Sequence, residues 1–336
     1  MGKAVVTGGA GFIGSHLVER LVRAGRPVTV IDNLKTGRRK NLAGLDASAL
    51  TFFEADVCDT QLLQEAFAGA EVVYHLAALA DIVPSIERPD DYFRANVDGT
   101  FSVMQAARSA GVRRVMYAAS SSCYGIPDTY PTPESAEIRP QYPYALTKYL
   151  GEAIVLHWGQ VYDIAATSLR LFNVYGPRAR TTGTYGAVFG VFLAQKLAGS
   201  PMTVVGDGKQ TRDFTYVTDV ADAFVQAASR AELGGQIMNV GSGNTYSVNQ
   251  LVELLGGPIT HIPKRPGEPD QTFADVTKIR RLLGWSARVP FEDGVHTMLE
   301  HIDDWRDAPV WTPASIADAT RTWFTYLGKA EPAATQ

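Results

Sequence analysis

The chain has 336 residues, 46% hydrophobic and 20% charged, with a formal net charge of −4. That composition supplies a sizeable core and argues against a disordered chain, a strongly basic nucleic-acid surface and, having no apolar run of about 20 residues, a membrane-spanning helix. Cys58 and Cys123 lack metal-type spacing and the six histidines are scattered, so no metal is expected and a reducing cytoplasm is the expected compartment.

The first pattern is an apolar strand, Val5-Val6-Thr7, running into Gly8-Gly9-Ala10-Gly11-Phe12-Ile13-Gly14 and a helix over 14–25. Glycines at this spacing let main chain approach a phosphate, with the helix N-terminus facing it. The strand starts at once, so no signal peptide is expected. A second strand, Pro27 to Ile31, ends in Asp32, a carboxylate suited to the ribose hydroxyls of NAD and hostile to the 2′-phosphate of NADP. Lys35, Arg38, Arg39 and Lys40 could instead hold that phosphate; the simpler reading is a solvated basic loop.

Strands are expected at Leu50–Glu54, Val72–Leu76, Val112–Ala118 and Ile164–Leu171, with helices near 60–68, 91–110 and 142–161 between them. Such alternation predicts an α/β Rossmann-type doubly wound parallel sheet over residues 1–172, with functional residues in the segments that follow its strands. From 173 to 330 proline and glycine cluster and helices shorten (217–230, 247–256, 276–283). This predicts a smaller mixed α/β substrate-binding lobe, with the chain crossing back between lobes. The tail 331–336 is small and polar, which predicts disorder.

The strongest catalytic signal is Tyr144-Ala145-Leu146-Thr147-Lys148, which puts a phenol and an ammonium on one helical face. Tyrosine is a weak base at neutral pH, and a fixed positive charge favours its phenolate. Upstream, Ser120, Ser121 and Ser122 form a run of hydroxyls at the end of the fifth strand.

With these motifs in place, the chain resembles the extended short-chain dehydrogenase/reductases, specifically the nucleotide-sugar epimerases and dehydratases. Further markers are Asp32-Asn33-Leu34, Asp56-Val57, His75-Leu76-Ala77-Ala78, Asn96, Phe172-Asn173-Val174-Tyr175-Gly176-Pro177, Arg212-Asp213-Phe214 and Arg265-Pro266-Gly267-Glu268. The resemblance implies catalytic roles for Ser120, Tyr144 and Lys148. It implies NAD contacts from Gly8, Gly11, Phe12, Ile13, Gly14, Asp32, Asn33, Asp56, Val57, Leu76, Ala77, Ala78, Asn96, Tyr144 and Lys148. It places Ser121, Ser122, Asn173, Arg212, Arg265, Glu268 and Thr272 on a nucleotide-diphosphate sugar, most readily a UDP-sugar, with the arginines on the diphosphate and Glu268 on the ribose. It also implies a homodimer formed by the helices near 91–110 and 142–161, the second of which carries Ile154, Val155, Trp158 and Val161.

The resemblance leaves the outcome to residues beside the shared machinery. Related dehydratases and decarboxylases carry an acidic residue directly after the hydroxyl residue, where this chain has Ser121 and Ser122. That favours 4-epimerisation through a transient 4-keto sugar over 4,6-dehydration. A 4-dehydrogenase shares the same first step, and a non-catalytic nucleotide sensor is the remaining alternative. Thr272 is small for a gate beside the sugar C2 substituent and leaves room for an acetamido group. In the loop Arg178 to Gly186, Arg178 and Arg180 could meet a uronate or stabilise the loop. Thr312-Pro313 starts a helix over 313–327 whose Ile316, Trp323, Phe324 and Leu327 share a stripe, either packed on the small lobe or acting as a lid or oligomer contact.

Overall fold

The computed structural model describes residues 2–181 and 187–328. The tail 331–336 and part of the loop from Arg178 to Gly186 lie outside them. In chain order the first elements are β1 (Lys3–Thr7), α1 (Phe12–Arg23), β2 (Val28–Asp32), β3 (Leu50–Glu54), α2 (Thr60–Phe67) and β4 (Ala70–His75). They continue through α3 (Ile82–Glu87), α4 (Pro89–Phe93), α5 (Gly99–Ser109), β5 (Arg114–Ser120), α6 (Pro143–Tyr162), β6 (Ala165–Leu171) and β7 (Val174–Tyr175). The remainder comprises α7 (Val188–Leu197), β8 (Met202–Val205), β9 (Thr211–Arg212), β10 (Thr215–Tyr216), α8 (Val217–Ala228), β11 (Ile237–Val240), β12 (Tyr246–Ser247) and α9 (Val248–Leu255). It closes with β13 (Ile259–Ile262), α10 (Thr277–Leu283), α11 (Phe291–Glu300), α12 (Pro313–Ala319) and α13 (Arg321–Leu327).

Seven parallel strands form one sheet in the order β3-β2-β1-β4-β5-β6-β11. The Val- and Ile-rich strands are buried because helices cover both faces. Alternation along β1 shows how: Ala4 and Val6 pack with α1 and α8, while Val5 faces the side of α2, α5 and α6. Residues 217–240 thus return to the first layer, supplying α8 and the seventh strand. A separate apolar cluster holds the second lobe, built from Phe189, Phe192, Val204, Leu251, Phe291, Trp305 and Ile316. Three two-stranded pairings, β7–β10, β9–β12 and β8–β13, stiffen it.

Several expectations need correction. The helix near 91–110 runs without a break from Pro89 to Ser109, and a π-helical turn at Arg94–Asp98 joins α4 to α5. The helix over 313–327 breaks at Thr320, which leaves helical geometry at φ −102° and ψ 3°; Ile316 O accepts from both its amide at 2.9 Å and its hydroxyl at 2.7 Å. Its stripe is also incomplete: Ile316 and Trp323 are buried, but Phe324 is exposed. Helix α7 was not anticipated, because Val188-Phe189-Gly190-Val191-Phe192-Leu193 is apolar all round and has no visible period.

His75, at the end of β4, is buried between two threonines: Nδ1 lies 2.7 Å from Thr7 Oγ1 and Nε2 lies 2.9 Å from Thr100 Oγ1. Burial pushes its pKa down from 6.5 to about 3, so the ring stays neutral and joins β1, β4 and α5. Because the folded value lies below the unfolded one, its contribution is complete above pH 6.5 and is lost as the pH falls toward 3. Urea unfolding at pH 7, 5.5 and 4.5 is expected to show stability falling by up to about 1.4 kcal/mol per pH unit from this proton. His75→Asn is expected to lower stability at pH 7 and to flatten that slope; an unchanged slope would contradict the assignment.

Candidate active site

The turn after β1 is shaped by two glycines with no room for a side chain. Gly8 has φ +70°, and a Cβ there would lie 2.7 Å from Ala77 N. A Cβ on Gly14 would lie 2.1 Å from Gly8 O. The backbone therefore folds tightly onto itself before α1, leaving the helix N-terminus facing a cavity of about 520 Å³. Gly8, Gly11, Phe12, Ile13, Gly14, Asp32, Asn33, Asp56, Val57, Leu76, Ala77 and Ala78 all line that cavity.

Asp32 is held from two sides: Ala10 N donates to Oδ2 and Leu34 N to Oδ1, each at 2.9 Å. Burial raises its pKa while these amides oppose the rise. Asn33 donates to Asp56 at 2.9 Å, tying together the ends of β2 and β3. The basic loop is largely committed elsewhere. Lys35 pairs with Asp91, Arg39 pairs with Glu54, and Arg38 donates to Thr181 Oγ1 and the carbonyls of Arg178 and Ala179. That arrangement favours NAD over NADP.

Asn96 does not line this cavity. It is buried in the π-helical turn, donates to Leu79 O and Thr147 Oγ1, and accepts from Leu79 N. Its amide braces the segment after β4 against α6.

A second cavity, of about 420 Å³, adjoins the first and shares Ala80, Asp81, Ala187 and Val191 with it. Ser121, Ser122, Tyr144, Asn173, Arg212, Arg265, Glu268 and Thr272 line it. Residues from both lobes, more than 90 positions apart in the chain, thus converge on one cleft. Arg212 and Arg265 flank one carboxylate, with Glu268 2.8 Å from the first and 3.3 Å from the second. Thr272 Oγ1 donates to Asn173 Oδ1 at 2.6 Å, and Asp213 N donates to Thr272 Oγ1.

Tyr144 sits in the first turn of α6, after Pro143. Burial raises its pKa, and a hydrogen bond with the Ser120 hydroxyl works in the opposite direction. Lys148, one turn on, is buried, with Nζ 4.2 Å from the centre of the Tyr117 ring. Burial pushes its pKa down to about 7, against the pull of Glu152. Tyr144 is therefore not depressed in this structure, contrary to the simple expectation from an i, i+4 lysine. Cys123 is buried and its thiol is pushed up to about 12, which leaves it inert.

Other cleft residues escaped the sequence reading. Asp81 reaches both cavities and pairs with Arg180 at 2.8 Å; it lies in the segment after β4, where function was expected, but no motif marked it. Tyr142 stacks beside Tyr144, with ring centres 6.3 Å apart. Trp323 enters from the far C-terminal segment. Among the described residues no group of three or more His, Cys, Asp or Glu side chains could hold a metal, and no helix is long and apolar enough to cross a membrane.

A doubly wound sheet with this glycine turn, strand-end carboxylate and helix-borne Tyr/Lys pair defines the short-chain dehydrogenase/reductase architecture. The profile of the NAD dependent epimerase/dehydratase family matches residues 4–241. UDP-glucose 4-epimerase of Mycolicibacterium smegmatis is 39% identical over 310 residues, covering 89% of this chain and 97% of that protein. UDP-N-acetylglucosamine 4-epimerase from Methanobrevibacter ruminantium, solved with UDP-N-acetylmuramic acid, superposes with a TM-score of 0.85 at 30% identity, covering 90% of this chain and 98% of that one. UDP-glucuronic acid 4-epimerase from Bacillus cereus, solved with UDP-glucuronic acid and NAD, gives 0.82 at 31% identity, covering 90% and 99%. The chain belongs to the NAD-dependent epimerase/dehydratase family. Its cofactor is NAD, and the side-chain-free cradle and the Asp32 carboxylate suit a dinucleotide's pyrophosphate and ribose.

Replacing Asp32 with Ser is expected to weaken NAD binding and to narrow its preference over NADP, read by fluorescence titration of both reduced cofactors. Gly14→Ala, with nowhere to place its methyl, is expected to lose dinucleotide binding. A wild-type protein that prefers NADP would contradict the role of Asp32.

Proposed function

We propose that Tyr144, Ser120 and Lys148 invert the C4 centre of a UDP-sugar held by Arg212, Arg265 and Glu268. The enzyme is an NAD-dependent nucleotide-sugar 4-epimerase. The glycine turn and Asp32 would hold NAD, which would supply the hydride acceptor and donor that the sugar carbon needs. Tyr144 takes the proton of the C4 hydroxyl and later gives it back. Ser120, bonded to the same phenol, shuttles that proton and steadies the developing charge. Lys148 supplies the positive charge that favours the phenolate. The two arginines fit a diphosphate, and Glu268 fits ribose hydroxyls once the nucleotide separates it from the guanidiniums.

The observation that carries this reading is the position of Ser121 and Ser122 in the cleft beside Tyr144. A hydroxyl cannot serve as the second carboxylate base that elimination of water requires. Asp81 is a carboxylate lining the same cavity, and its partner Arg180 holds it in an ion pair. The pairing of Arg178 with Glu19 and of Arg180 with Asp81 favours loop stabilisation over uronate recognition. A neutral hexose or its N-acetylamino derivative is the preferred sugar, with the small Thr272 leaving space at C2.

Incubation with UDP-, GDP-, CDP- and dTDP-sugars, followed by NMR, is expected to show inversion at C4 with a UDP-sugar and no net NADH absorbance. Stoichiometric NADH with a keto sugar would establish a dehydrogenase instead, and a 4-keto-6-deoxy product a dehydratase. Tyr144→Phe is expected to lower turnover by about 10²–10⁴-fold while sparing nucleotide affinity. Activity should rise with pH as the phenol ionises, and Lys148→Met should move that limb to higher pH; a fixed limb would contradict the pairing.

The assembly is proposed to be a homodimer in the cytoplasm. Phe101 of α5 and Val161 and Tyr162 of α6 are exposed, at 44%, 54% and 37%, and form an apolar face on the two helices named above. Val155 is core, and Ile154 and Trp158 are partly buried against it, so the exposed set differs from the expected one. Light scattering is expected to give twice the chain mass of 36.4 kDa, and Val161→Glu to shift it toward the monomer. A monomeric wild type at micromolar concentration would rule the dimer out.

A further inference from the structure

The C-terminal segment does more than cap the second lobe. Trp305 and Ile316 anchor it in that lobe's core, and the break at Thr320 turns α13 toward the first lobe. There α13 packs on α3, and Thr322 Oγ1 donates to Glu87 at 3.1 Å. Between these two attachments the Trp323 indole enters the cleft wall. Its Nε1 donates to Pro266 O at 2.7 Å, its ring lies 5.5 Å from the Arg265 guanidinium, and its centre is 6.4 Å from the ring of Tyr142. One side chain therefore touches the residue capping the catalytic helix and the loop carrying Arg265 and Glu268. The structural relatives are matched over 98–99% of their length while about a tenth of this chain stays outside each match.

We propose that Trp323 is a positioning residue of the nucleotide-sugar cleft, and that α13 is the strap that holds it across the two lobes. The inference rests on the nucleotide-sugar reading of that cleft. The indole fixes Arg265 by stacking and Pro266 by its hydrogen bond, so the 265–268 loop is preorganised for a nucleoside diphosphate. Only 4% exposed, Trp323 still reaches the cavity lining beside Arg265 and Tyr142. A positioning residue of this kind acts on binding, leaving proton transfer by Tyr144 intact.

The test is UDP and UDP-sugar binding by calorimetry, with steady-state kinetics, on the full chain and its Trp323→Ala and Trp323→Phe variants. Trp323→Ala is expected to weaken UDP affinity and raise KM by about tenfold, with kcat changed less than about threefold and NAD affinity unchanged. Trp323→Phe, which keeps a ring but loses the bond to Pro266, should fall between. Thr322→Val frees the strap from Glu87 without touching the cavity and should also raise KM. In the wild type, UDP should protect α13 from proteolysis at exposed Phe324 and Tyr326, a readout that needs no variant to fold. Wild-type UDP affinity and KM in a folded Trp323→Ala protein, or no protection by saturating UDP, would overturn the proposal. Failure of the wild type to bind any UDP compound while still binding NAD would instead overturn the underlying reading of the cleft, and this proposal with it.

Discussion

The arrangement of the active site depends on one buried ion pair. Arg170 of β6 and Glu152 of α6 meet with 3% side-chain exposure each, their nearest atoms 2.5 Å apart. The pair is fully surrounded by partners: Ser168 donates to Glu152, Arg170 donates to Tyr124 OH, and Tyr124 donates to Asn239 of β11. Removing one member of such a pair leaves an unpaired charge and costs about 3–5 kcal/mol. Satisfied, it locks α6 to the sheet and to the turn after β5. Tyr144, Lys148 and Glu152 follow at intervals of four on that helix, so the lock sets how the phenol approaches Ser120. Glu152 is also the group that sustains the charge of Lys148 against burial.

From this anchored helix the rest follows by topology. Every strand of a parallel sheet ends at the same edge, so the glycine turn, Asp32, the segment after β4 and the serines after β5 gather there without further design. The second lobe then adds a wall of arginines opposite the serines. The two cavities meet at Ala80 and Asp81, which places the one lined by the glycine turn directly beside the one lined by Tyr144. The Glu268 carboxylate between Arg212 and Arg265 keeps those guanidiniums oriented and their repulsion low.

Much of this was legible in the chain because it is local. Short apolar runs marked the first six strands, and closely spaced glycines marked the turn. The i, i+4 spacing marked Tyr144 and Lys148. What was hidden is non-local. Arg170 reads as one charge in an otherwise apolar strand, and nothing in sequence shows that Glu152 meets it. Helix α7 is uniformly apolar and has no period to read. Asn96 looked like a cofactor ligand because its motif is recognisable, yet its amide is consumed by Leu79 and Thr147. Trp323 looked like helix packing, since only tertiary structure brings it to Arg265.

The central claim is that one carbon is oxidised and then reduced again within one closed site. A UDP-sugar carrying deuterium on C4 tests it most directly. An epimerised product that retains the label on C4 is expected, with none in solvent and none in released NADH. Loss of the label to water, or its appearance on another carbon or on free cofactor, would contradict it.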